Sequence, residues 1–283
     1  MTSDMISRLR EYIAAQALRK HGAKVKWSGG RVSAVDFEGD ACPNDDAALA
    51  HVARCTCLQE LDLFGTSVTD EGMRHLEALG LLTTLNLNCT GITNVGLSHI
   101  NDGTPLANLQ LMDCPIDDIG ADRISQFKTL RVLRIDGTSI TDAGIMHLLG
   151  LPNLASLWLD GSQFSISASA ALGRVEGMRD LNLVGPAVTD EVVARVRHLP
   201  RLCSLGLPQA AITDEAIADL RMLTELAHLC LSFCSGITDQ AIASLLELKQ
   251  LRYLWVVETG LSPAGIARLQ AAMPNAVVGP GDD

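Results

Sequence analysis

Aromatic residues are scarce in this chain: Phe, Trp and Tyr make up 4% of 283 residues. A core without them must be filled by Leu, Ile, Val and Ala. That suits identical stacked layers better than one large irregular interior. No run of 18 uninterrupted apolar residues occurs, which excludes an ordinary spanning helix. The opening Met1-Thr-Ser-Asp-Met-Ile-Ser-Arg8 has no basic segment followed by a long apolar one, so no secretory signal is expected. The cysteines, at 42, 55, 57, 89, 114, 203, 230 and 234, lack zinc-ligand spacing. One residue, not two, separates Cys55 from Cys57, and no second pair follows at a suitable distance. Reduced thiols in a cytoplasmic protein are expected. Neither G-x-S-x-G nor a phosphate-binding loop occurs, so the chain reads as a non-enzyme without cofactor.

Basic charge is also in short supply, and the net charge is −11. The exception is residues 1–31, where seven Lys and Arg face only Asp4 and Glu11. That stretch carries +5, which leaves −16 for the rest. An acidic chain is a poor ligand for nucleic acid, which rewards basic grooves. The basic stretch is expected to be the solvated face of a capping helix. Neither nucleic acid nor membrane is expected as a partner.

What the chain has in abundance is periodicity. Leu58, Leu82, Leu106, Leu130, Leu154, Met178, Leu202 and Leu226 are 24 residues apart, and Leu251 follows one residue late after an insertion near Ser235-Gly236. Within each unit a frame recurs. One unit reads Leu130-x-x-Leu133-x-Ile135-x-x-Thr138-x-Ile140-Thr-Asp142-x-Gly144-Ile145-x-x-Leu148. Each unit predicts a short strand, a turn and a helix. Positions 1, 4 and 6 point inward and 3, 5 and 7 outward, by the period of two. The helix starts at Thr69-Asp70, Thr141-Asp142, Thr189-Asp190, Thr213-Asp214 and Thr238-Asp239, where Thr caps and Asp favours the positive end of the macrodipole. Ser262-Pro263 opens the last one. Helix residues such as Met73, Leu76 and Leu79 are expected in the core. The fifth unit departs from this pattern and reads Ser165-Ile-Ser167-Ala-Ser169.

Residues 4–21 predict a helix with Ile6, Leu9, Ile13 and Leu18 as its apolar face, ended at Gly22. Lys24–Trp27 and Val32–Phe37 predict a hairpin around Ser28-Gly29-Gly30. The expected organisation is one continuous domain. Residues 1–57 form an N-terminal capping helix, hairpin and degenerate first repeat. Residues 58–273 form nine repeats, and 274–283 a capping strand and tail.

A 24-residue period with L-x-x-L-x-L spacing resembles the leucine-rich repeat. Leu226-x-x-Leu229-x-Leu231-x-x-Cys234-x-Gly-Ile237-Thr-Asp239-Gln-Ala241-Ile242 is similar to its cysteine-containing subfamily, known from F-box adaptors and bacterial repeat proteins. No F-box-like module stands in residues 1–45, and the short Thr-Asp-x-Gly units resemble bacterial tracts. The resemblance implies an α/β fold: a right-handed solenoid or horseshoe, with a parallel sheet on the concave face and helices on the convex one. It also implies a monomeric scaffold binding a protein or peptide on the concave face. Two further readings are an inhibitor or regulator of a basic enzyme and a secreted bacterial effector or adaptor acting on host proteins.

Frame position nine holds Thr66, Thr90, Cys114, Thr138, Ser162, Pro186, Ala210, Cys234 and Thr259. A small polar group there is expected to satisfy turn amides. His75, His99 and His147 share one frame position with Arg123, which lines them up without converging them, so no metal is expected. The recurrent Asp70, Asp118, Asp142, Asp190, Asp214 and Asp239 read as helix caps rather than calcium ligands. The binding candidates are two outward patches. One is Arg134, Asp136, Trp158 and Asp160, because Trp and Arg are enriched at binding hot spots. The other is Phe233, Tyr253 and Trp255, beside the capping strand.

Overall fold

The computed structural model describes residues 3–37, 45–160, 166–173 and 175–279. It divides into two compact units: Met1–Ile140 with Leu151–Asn153, and Thr141–Gly150 with Leu154–Asp283.

In the N-terminal unit, helix α1 (Ser3–Lys20) precedes an antiparallel hairpin of β1 (Lys24–Ser28) and β2 (Arg31–Asp36). Helix α2 (Asp45–Val52) follows. It completes a repeat whose strand is β2, an element the sequence reading did not foresee. Then β3 (Glu60–Asp62), β4 (Thr84–Asn86), β5 (Asn108–Gln110) and β6 (Val132–Arg134) extend the sheet in parallel from β2. They alternate with α3 (Asp70–Met73, continued by a 3-10 turn Arg74–Ala78), α4 (Asn94–Ser98) and α5 (Asp118–Ile124).

The C-terminal unit starts with α6 (Asp142–Leu148). Its strands are β7 (Ser156–Asp160), β8 (Asp180–Val184), β9 (Ser204–Gly206), β10 (His228–Cys230), β11 (Tyr253–Trp255) and β12 (Val277–Gly279). All pair in parallel with their sequence neighbours. Between them run α7 (Ile166–Leu172), α8 (Asp190–Val196), α9 (Asp214–Leu220), α10 (Ile242–Leu245, opened by a 3-10 turn Asp239–Ala241) and α11 (Pro263–Ala272).

The core follows the frame. Leu61 and Leu63, Leu85 and Leu87, Leu133 and Ile135, Leu205 and Leu207 are all buried, and so are the helix residues Met73, Leu76 and Leu79. Each layer stacks on an identical one, which is how a repeat too small to bury its own apolar face becomes stable.

The Thr-Asp steps do more than cap. Thr93, Thr141, Thr213 and Thr238 each accept a backbone N–H two residues on. The aspartate reaches forward instead. Asp70 accepts from Thr93 N at 2.9 Å and from Thr93 Oγ1 at 2.6 Å. Asp46 does the same for Thr69, Asp190 for Thr213, Asp214 for Thr238 and Asp239 for Ser262. In these five pairs one carboxylate ties a helix start to the next, and at Asp117 the amide of Asn94 takes its place, donating Nδ2 to Asp117 Oδ1 and accepting from Asp117 N. The glycine of Thr-Asp-x-Gly clears the carboxylate: a Cβ on Gly72 would lie 2.1 Å from Asp46 Oδ1. Ala216 and Ala241 hold the same place with the tie intact, so the carboxylate yields to a methyl group. Val192 is larger, and Ile166 stands where the preceding aspartate would be. There Thr189 Oγ1 is buried without a partner among the described residues.

Frame position eight is left-handed. Gly65, Cys89, Asp113, Gly137, Gly185, Gln209, Phe233 and Glu258 have φ between 52° and 110°. A bulky side chain there is strained, and Phe233 is the extreme case.

Two expectations are corrected. At position nine the hydroxyls serve carbonyls, not turn amides: Thr66, Thr90 and Thr138 donate to Leu63, Leu87 and Ile135 O at 2.7 Å. Cys114 and Cys234 donate to Leu87 and Leu207 O at 3.0 Å, one repeat back. The second correction concerns α1. Of its expected apolar face only Leu18 is buried, while Ile6, Leu9 and Ile13 are exposed. The packed face is Glu11, Ala14, Ala15 and Leu18, set against α2 and the hairpin. Glu11, wholly buried, holds it there by accepting from Arg31 Nε at 2.9 Å, Arg31 Nη2 at 2.6 Å and Val32 N at 3.2 Å.

Candidate functional site

Outward strand positions line up because the parallel pairs from β7 to β12 keep one register. In the C-terminal unit position five reads Trp158, Asn182, Gly206, Cys230 and Trp255 over β7 to β11. Position three reads Ser156, Asp180, Ser204, His228 and Tyr253. Small residues at the middle of both rows leave a trough with a tryptophan at each end. Four strand spacings of about 4.8 Å separate the two, or roughly 19 Å. The trough has a volume of about 340 Å³, and Pro208 lies along its rim.

Gly206 makes the floor. A Cβ there would meet Asn182 Oδ1 at 2.1 Å, so the asparagine amide lies across a backbone that only glycine leaves bare. Asp180 is half-buried in the wall and forms no ion pair among the described residues. Burial pushes its carboxyl above the ordinary range, against a smaller opposing pull from His228 and Arg179. At the C-terminal end His228 packs on Tyr253 with ring centroids 4.8 Å apart, and Tyr253 stacks on Trp255 at 6.0 Å. A row of rings beside an unneutralised carboxylate offers apolar contact and an attraction for positive charge.

The structure distributes the expected candidates differently from their two patches. Trp158 and Trp255, expected apart, line one trough. Trp158 is 38% exposed. Asp160 closes β7 opposite Val184, and its side chain lies outside the described residues. Arg134 and Asp136 belong to the N-terminal unit, where Arg134 Nε donates to Asp136 Oδ2 at 2.6 Å. Phe233 stands on the left-handed turn after β10, half exposed, and joins no ring cluster among the described residues. The frame sets Asp180, Asn182, Gly206 and Cys230 on the outward face, but sequence reasoning did not single them out as binding candidates. The available signal was negative: three successive repeats without bulk between two tryptophans.

The N-terminal sheet face is polar and partly bonded within itself, although Asn108 Oδ1 and Asp136 Oδ1 are buried without a partner among the described residues. Asn88 Nδ2 donates to Gln110 Oε1 at 3.0 Å, and Asn88 Oδ1 accepts from Met112 N at 2.7 Å. The histidine column does not converge: His99 pairs with Glu77 at 2.9 Å, and Arg123 with Asp102. Among the described residues no three His, Cys, Asp or Glu side chains gather as metal ligands. No helix of the described residues is long and apolar enough to cross a membrane.

A family model described as Leucine Rich repeat matches residues 54–76 and 81–100. It does not separate the cysteine-containing subfamily. A search of curated proteins finds no match. Among solved structures, an internalin (inlF) from Listeria monocytogenes superposes with a TM-score of 0.56 at 18% identity, covering 96% of this chain and 87% of that one. An internalin C2 (inlC2) of the same species gives 0.49 at 20%, covering 83% and 82%. The Leptospira interrogans protein LIC12759 gives 0.47 at 19%, covering 81% and 74%.

Proposed function

Since the chain is a leucine-rich-repeat protein, a fold that generally serves as a scaffold for protein–protein contacts, we propose that it binds a protein segment on the outer sheet face of its C-terminal unit. The observation that carries this reading is the trough between Trp158 and Trp255, with Asp180 in its wall. Tryptophan side chains on an outward strand face are costly to leave wet, and Trp is enriched where binding energy concentrates. The segment would lay apolar side chains against the two indoles and a Lys or Arg beside Asp180. An acidic chain favours such a basic partner through steering as well as contact. The reading requires no catalytic step.

Selection of a random peptide library on the chain tests this. The expected winners pair a basic residue with an apolar one and lose at least about 2 kcal/mol of affinity, the hot-spot threshold, on Trp158→Ala. Peptides without that pairing, or selected equally well by Trp158→Ala of unchanged stability, would overturn the assignment.

A further inference from the structure

Helix α1 wears its bulky side chains on the outside. Met5 is 54% exposed, Ile6 40%, Leu9 49%, Tyr12 54% and Ile13 52%. At about 100° per residue these five share one sector of about 120°, which is apolar over residues 5–13 and turns polar at Gln16 and Lys20 in the last turns of the helix. Arg8 and Arg19 border the sector on one edge and Arg10 on the other. The helix's two acids lie toward the packed side, and both are engaged: Asp4 by Arg8 at 2.9 Å, Glu11 by Arg31 at 2.6 Å. Beside the helix, β1 adds exposed Lys24, Lys26 and Trp27.

A half-exposed stripe of this kind needs an occupant, and charge and area discriminate among the candidates. Five side chains at these exposures present on the order of 400 Å² of apolar surface, enough to be a functional patch. A second copy of the chain fits poorly. A symmetric contact through the stripe would bury less than the roughly 800 Å² per partner of a stable interface. It would also set Arg8 and Arg10 against their own copies. An apolar sector bordered on both edges by arginine is the arrangement of a helix lying in the plane of an anionic bilayer. The long arginine stems allow the rings and methyls to enter while the guanidinium groups stay at phosphate level.

We propose that α1 is a docking helix for an anionic lipid surface, with Met5, Ile6, Leu9, Tyr12 and Ile13 entering the acyl boundary and Arg8, Arg10 and Arg19 meeting the headgroups. The expectation of no membrane partner rested on the lack of a spanning run, which does not bear on a helix lying flat. The −16 carried by the rest of the chain opposes approach only within the screening length, about 8–10 Å at physiological salt.

Co-sedimentation of the full chain with vesicles tests the proposal. Neutral phosphatidylcholine vesicles are compared with vesicles in which about a third of the lipid is phosphatidylglycerol. Partition onto the anionic vesicles should be at least about tenfold stronger and should fall with added salt. Leu9→Glu with Ile13→Glu changes two exposed positions. It should leave the melting temperature unchanged and lower that partition at least about tenfold. Arg8→Ser with Arg10→Ser should weaken it and flatten its salt dependence. Equal partition onto both vesicle types would overturn the proposal, as would wild-type partition by the double glutamate variant. A dimer in sedimentation equilibrium that this variant dissolves, without vesicle binding, would assign the stripe to a second copy instead.

Discussion

Glu11→Leu is the sharpest probe of the N-terminal cap. The wild-type carboxylate is wholly buried and receives three donors, two from Arg31 and one from Val32 N. Leucine fills the space and leaves a guanidinium and an amide without their acceptor. Breaking one side of a fully buried pair costs about 3–5 kcal/mol. Arg31 is 22% exposed and keeps Ser7 Oγ and Thr56 Oγ1 within reach, so water and these hydroxyls recover part of the loss. The expected cost is therefore about 3 kcal/mol, the low end of that range. Trp27, the one tryptophan of the N-terminal unit, sits in the adjacent hairpin and reports on this cap by fluorescence. With an m-value of about 1–3 kcal/mol/M, the urea midpoint of that signal should fall by at least about 1 M. Replacing both partners, Glu11→Leu with Arg31→Met, removes the stranded charge and should return the midpoint to within about 1 kcal/mol of wild type. A single-variant loss below about 0.5 kcal/mol, the range of ordinary surface changes, would refute the reasoning. So would a double variant no better than the single one.

Ile166→Asp with Val192→Ala should supply Thr189 with the missing carboxylate and raise stability by about 1 kcal/mol, more than the sum of the single changes; additive or negative values in a double-mutant cycle would count against the tie. Asp180 has its folded value raised by burial, so it favours the folded state below the unfolded value near 3.9 and this contribution is lost as pH rises through the folded one. Asp180→Asn should accordingly raise the melting temperature at pH 7 and leave it unchanged near pH 3, while weakening basic-peptide binding at pH 7. Cys114 and Cys234 are buried, and desolvation raises both thiols, Cys234 to about 11. Neither should react with a disulfide reagent at pH 8 until the chain unfolds, and rapid native labelling of either would contradict their packing role.

The leucine register was legible because a period of 24 residues is a global signal that no local propensity can mimic. Leu61, Leu85, Leu109 and Leu133 are buried for the same reason at every level. The face of α1 was misread because hydrophobicity was counted without electrostatics. Glu11 looked like a surface residue, and the Arg31 that takes it into the core lies 20 residues away. The forward reach of Asp70 to Thr93 was hidden in the same way, since capping alone explained the aspartate locally. Part of the trough was legible, since strand parity points Trp158 and Trp255 outward. Its floor was not, because a cavity is made by what Gly206 and Ser204 lack, and missing bulk forms no motif.

The absent tie at Thr189 bears on how the molecule comes apart. In a chain of units that touch mainly their neighbours, unfolding proceeds as a series of breaks, each weighted by the strength of one junction. Where a carboxylate bridges successive helix starts, two neighbours melt together. Between α7 and α8 that bridge is missing and a hydroxyl is left idle, so this junction carries the least cooperativity of its stretch. Hydrogen exchange should find amides on the two sides of it opening as separate blocks, and a protease should find its first foothold there. An irregular repeat in the middle of a regular array thus acts as a seam.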